Sequence, residues 1–111
     1  MHSAGSAKRT RTALREFKQA LDKLYGKRLR NVILFGSWAR GEATDDSDID
    51  VLVVLDGRVV PGKEIDRMID IITETNLSHG VLVSVHPVSA KDYSSLKSPL
   101  LINVRKEGRA A

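Results

Sequence analysis

No cysteine occurs among the 111 residues, which excludes disulfides, thiol catalysis and thiolate zinc sites. Aromatic residues are scarce too: two Phe, two Tyr and one Trp, with none of the aromatic-and-basic alternation that stacks nucleobases. No apolar run approaches the roughly 18 residues that cross a bilayer. The opening MHSAGSAKRTRT lacks the apolar stretch of a signal peptide, so the chain reads as cytoplasmic and free of the membrane. Charge is plentiful by contrast, at 29% of residues with a net +4. Much of that excess lies at the ends, in Lys8, Arg9 and Arg11, then Arg105, Lys106 and Arg109. Basic ends of this kind read first as solubilising flanks, so a nucleic-acid-binding module is the weakest of the readings kept below.

The length suits one domain with one ordinary core. Residues 1–9 are small, polar and basic and are expected to form a disordered tail, leaving 10–111 as the domain. From Thr12 onward Leu14, Phe17, Leu21 and Leu24 recur at helical spacing, with Tyr25 on the same side and Gly26 as the stop. NVILFGS predicts a short buried strand, Val32 to Phe35, and SWAR a single helical turn after it. DIDVLVVL is almost continuously apolar and predicts a central strand covered on both faces. Pro61 then opens a helix whose apolar face is Ile65, Met68, Ile69 and Ile72, ended by SHG. VLVSVHPVS predicts a third strand that breaks at Pro87. A capped helix follows from Ser89, and a last one runs from Ser98-Pro99 to Gly108. The order describes a small α/β or α+β unit without repeats.

The chemistry concentrates in GSWARGEATDDSDIDVLVVLD, residues 36–56. Asp48 and Asp50 stand one residue apart at the mouth of a strand, where side chains two apart share a face. Like charges held this close repel, and a divalent cation is the natural remedy. Mg²⁺ or Mn²⁺ takes one or two carboxylates and fills its remaining positions with water and phosphate oxygens. Gly36 lets a phosphate approach the backbone, and the Ser37 hydroxyl with the amides after it can cradle that phosphate. A nucleoside triphosphate would thus be held by its phosphates and its metal together. Asp45 and Asp46 read as turn residues, outside the alternation of the other two. Trp38 reads equally as a packing residue or as a platform for a base. Arg40 either reaches phosphate or pins the loop by pairing with Glu42 or Asp46.

Gly36-Ser37, ten residues, then Asp48-x-Asp50 running into an apolar strand resembles the signature of minimal nucleotidyltransferases in the DNA polymerase β-like superfamily. Arg40 and Gly41 stand as in that family, and SPLLINVRKEG is similar to its closing helix, so the resemblance spans roughly residues 12–108. It implies a small mixed sheet flanked by helices, with ATP in an open cleft. By the same resemblance Gly36, Ser37 and Arg40 contact the nucleotide, while Asp48 and Asp50 are catalytic and hold the metals. Some relatives are antitoxins that transfer AMP to a tyrosine of a HEPN-domain toxin. That implies a HEPN-type helical partner, or a second copy of this chain, as the other wall of the cleft.

One position departs from the family pattern. A third carboxylate is usual on the strand after the second helix, and its equivalent here is Ser84, with His86 two residues on and on the same face. A serine is a poor magnesium ligand and takes no proton at neutral pH. An imidazole can act as base but suits Mn²⁺ better than Mg²⁺. Three readings follow: a weak or partner-completed nucleotidyltransferase, a nucleotide-binding pseudoenzyme that works by protein contact, and the small nucleic-acid-binding module.

Overall fold

The computed structural model describes residues 4–44 and 46–111, with side chains from Ala7 onward. Helix α1 (Ala4–Tyr25) leads through a 3-10 turn into β1 (Leu29–Phe35), and the single turn α2 (Ser37–Arg40) follows. β2 (Ile49–Leu55), α3 (Pro61–His79) and β3 (Val83–Ser89) form a β-α-β unit. Helices α4 (Ala90–Ser95) and α5 (Pro99–Glu107) precede a two-residue strand, β4 (Arg109–Ala110). The sheet is mixed, in the order β3-β2-β1-β4, with β2 parallel to β3 and antiparallel to β1.

β2 is central because its residues can be buried on either side. Ile49, Val51, Val53 and Leu55 pack with Leu14, Phe17 and Leu21 of α1 and Met68 and Ile72 of α3. Leu52 and Val54 point the other way, toward Leu101 and Val104 of α5. The fold is therefore three layers, with a helix pair on each face of the sheet.

Several boundaries differ from the sequence expectation, each for a physical reason. Residues 4–9 are helical where a disordered tail was expected, since α1 begins well before its apolar stripe; residues 1–3 lie outside the described residues. Leu24 is exposed, because the stripe at Leu14, Phe17 and Leu21 is already enough to cover the sheet. The buried face of α3 is Glu64, Met68, Ile72 and Thr75, which leaves Ile69 outside. Pro87 lies within β3 instead of breaking it. An edge strand has one side without a ladder, where a missing N–H costs nothing. The basic C-terminal end is partly structural, as Arg109 and Ala110 pair with Leu34 and Ile33. The helix caps are as read: Ser89 and Ser98 accept from the amides of Asp92 and Leu101, at 3.1 and 3.2 Å.

Glu64 is 2% exposed and ties the end of the sheet remote from Asp48. Its carboxylate accepts from the Arg28 guanidinium at 3.2 and 2.8 Å, from Tyr25 at 2.9 Å and from Arg67 at 3.1 and 3.2 Å. Arg28 also donates to the carbonyls of Asp56 and Arg58, so one residue ties the turn between α1 and β1 to α3 and to the loop after β2. Burial alone would raise the Glu64 pKa. The hydrogen bonds from Arg28 and Tyr25, with the charges of Arg28 and Arg67, outweigh it and hold the carboxyl below its ordinary range. The Tyr25 phenol is pushed up to about 12, by burial first and by Glu64 next.

Candidate active site

The G-S turn closes β1. Gly36 has φ +75° and ψ −154°, a conformation open essentially to glycine alone. The absence of a side chain matters independently: a Cβ there would stand 2.5 Å from Oδ2 of Asp50. Ser37 begins α2, whose first turn is closed by the Arg40 amide on the Gly36 carbonyl at 3.1 Å. Gly41, at φ +74°, ends that turn.

Asp50 is the second residue of β2, opposite Phe35 on β1 and Ser84 on β3. Strand alternation places it on the side of Leu52 and Val54. Burial raises its pKa most, with the Asp48 charge adding to the rise, while His86 and Arg40 pull against it. A carboxyl whose pKa is raised on folding is charged at neutral pH at a cost. Its effect on stability therefore becomes unfavourable as pH rises past the unfolded value and is complete above the raised folded one, until a cation compensates it. Asp48 precedes the strand and is exposed. It lines a cavity of about 300 Å³ with Trp38, Arg9, Thr10, Gly80 and Leu82; Asp50 is not in that lining. The two acids thus share a neighbourhood, one at the cleft and one against the glycine.

The acidic loop is a local turn. The Ser47 hydroxyl accepts from the Thr44 amide at 2.9 Å, and the Ile49 amide donates to the Leu82 carbonyl at 2.8 Å. Asp45 lies outside the described residues. Trp38 donates its indole N–H to the Ser47 carbonyl at 3.3 Å and packs against the α1–α3 core, a packing role. Arg40 pairs with Glu42 at 3.1 Å, as one of its two readings had it, and with Glu107 of α5 at 3.2 Å. Glu107 had no signal in the sequence beyond its sign, because 67 residues separate the pair.

Ser84 and His86 share a face of β3: the Ser84 hydroxyl lies 3.3 Å from Nε2 of His86. The His86 ring stands edge-on to Phe35, with centroids 5.4 Å apart. Among the described residues no three His, Asp or Glu side chains gather as a metal cage. A two-carboxylate set fits a hard divalent ion that keeps water and substrate oxygens, and the absence of a side chain at Gly36 lets the Asp50 carboxylate lie against the turn.

Residues 14–110 match the model of the nucleotidyltransferase domain family. The chain belongs to that family. It is 37% identical over 98 residues to a protein of Methanocaldococcus jannaschii named "putative protein adenylyltransferase", covering 87% of this chain and 92% of that one. A second protein of that name from the same organism is 38% identical over 96 residues, covering 82% of this chain and 63% of its own length. A crystal structure of a "putative nucleotidyltransferase" from Sulfolobus solfataricus is similar at a TM-score of 0.47 and 20% identity, over 99% of this chain and 89% of that one. Membership of the nucleotidyltransferase domain family, with relatives named as adenylyltransferases, supports an enzyme with a nucleotide substrate. No helix among the described residues is long and apolar enough to cross a membrane.

Proposed function

We propose that this nucleotidyltransferase binds ATP with Mg²⁺ or Mn²⁺ and transfers AMP to a hydroxyl of a protein acceptor. The observation that carries the reading is the close approach of Gly36 to Asp50, which brings the glycine turn and one acid of the Asp48-x-Asp50 pair together. Asp48 and Asp50 would hold the cation, Gly36 and Ser37 the phosphates. Arg40, whose charge is felt at Asp50, would exchange a carboxylate partner for phosphate. A bound divalent ion would neutralise charge on the phosphates as the bond to pyrophosphate breaks. A protein acceptor is favoured by the names of the relatives, "protein adenylyltransferase". The cleft beside Asp48, walled by α1, Trp38, the loop before β2 and the α3–β3 turn, would receive that acceptor from a separate protein. A HEPN-type partner rests on the resemblance of the signature alone.

Calorimetry tests the binding step. Wild type is expected to bind ATP only with Mg²⁺ or Mn²⁺, and Asp48→Asn with Asp50→Asn to lose at least about tenfold in affinity, near 1.4 kcal/mol. The metal-free double variant should melt no lower than wild type, since a repelling pair has been removed. Equal ATP affinity in the two proteins would sink the metal role. A large fall in melting temperature would instead make the acids structural.

A further inference from the structure

The geometry points to Ser84 as an acceptor of the chain's own transfer reaction: its hydroxyl is placed to take AMP from ATP bound at Asp48 and Asp50. The inference rests on the ATP reading above and adds a substrate to it, the protein itself. Three observations carry it. Ser84 is the direct partner of Asp50 across the β2–β3 ladder, about 4.8 Å away at the backbone as neighbouring strands are. Its hydroxyl lies 3.3 Å from Nε2 of His86, the nucleophile-and-base arrangement that activates a serine, at the looser distance usual before substrate binds. His86 is itself held, edge-on to Phe35, the residue that pairs with Asp50 from the other side. A hydroxyl and an imidazole on β3 and a carboxylate on β2 therefore lie side by side, with Phe35 of β1 against the imidazole.

The reaction balances without any further reagent. Ser84 Oγ attacks the α-phosphorus of ATP and an Oγ–P bond forms. The bond from the α-phosphorus to the bridging oxygen breaks, and pyrophosphate leaves with that electron pair. The hydroxyl proton passes to Nε2 of His86. The product is AMP esterified to Ser84, with nothing oxidised or reduced.

The test uses the full chain with Mn²⁺ and ATP labelled at either the α or the γ position, read by intact mass and peptide mapping. The expected result is one AMP on the peptide containing Ser84, α-label retained and γ-label not. Ser84→Ala removes the adduct, and His86→Gln slows it about 100-fold or more, as loss of a general base does. Independently of turnover, the His86 ring-nitrogen resonance of the nucleotide-free protein shifts in Ser84→Ala. An unchanged resonance removes the dyad and overturns the inference. An adduct on another residue overturns it as well. If calorimetry shows ATP bound and no adduct forms, the inference falls while the ATP reading stands. If ATP does not bind, both fall.

Discussion

Gly36→Ala is expected to cost about 2–6 kcal/mol of stability, from backbone strain of about 1–3 kcal/mol and a comparable overpacking cost. Strain arises because alanine must hold φ +75° with ψ −154°. Overpacking arises because its methyl group would press on the Asp50 carboxylate. A domain of this size is stable by about 5–15 kcal/mol, so the variant sits close to unfolding. Whatever fraction folds should have Asp50 displaced and its metal-dependent ATP binding lost. Gly57→Ala is the control: its φ is +81° and nothing lies within 4 Å of an added Cβ. It should lose only about 1–2 kcal/mol, from the left-handed backbone, and keep ATP binding. Urea melts and calorimetry on the two variants measure both effects. Equal stability losses, with ATP binding retained in Gly36→Ala, would remove the close approach from the account.

Glu64→Ala is expected to destabilise by about 3–5 kcal/mol, the usual cost of taking one partner from a buried ion pair. The loss should fall toward the lower end, because Arg28 keeps its bonds to the Asp56 and Arg58 carbonyls. Acid should reproduce part of it. Since the folded pKa of Glu64 lies below its ordinary 4.5, the unfolded chain takes up the proton first as pH falls. Its stabilisation is thus complete above about pH 5 and is lost as pH drops through the folded value. Glu64→Gln keeps the shape without the titration. The stability gap between it and wild type should narrow as pH falls from about 6 to 3. A gap constant across that range would show that the charge of Glu64 contributes nothing.

These two residues also mark what could be read from the chain. Gly36 and Asp50 were legible because their chemistry is local: a turn that only glycine makes and an acid at the start of an apolar strand. The central strand was legible for the same reason, as Val51 to Leu55 is apolar without interruption. Glu64 was not, although it keeps step with Met68, Ile72 and Thr75 on one helix face. Periodicity read through apolar residues alone passes over a buried acid, and so the face was extended to the exposed Ile69, while Ile65 packs at its edge. The partners that bury it come from 36 and 39 residues away. The fourth strand was hidden similarly: Arg109 and Ala110 carry no strand pattern of their own and are recruited by the free edge of β1. The Ser84–His86 pair was visible as a spacing, but its hydrogen bond and the packing on Phe35 required the sheet.

Paramagnetic broadening by Mn²⁺ tests the central claim most directly, because it locates the ion. Substoichiometric Mn²⁺ is added with ATP to isotopically labelled protein, and the amide resonances are followed. The account predicts that Gly36, Ser37, Asp48, Asp50 and Ser84 broaden first, while Tyr25, Arg28 and Glu64 at the far end of the sheet stay sharp. In Asp48→Asn with Asp50→Asn the effect should disappear. Broadening centred on another part of the chain, or persisting unchanged in that variant, would contradict it.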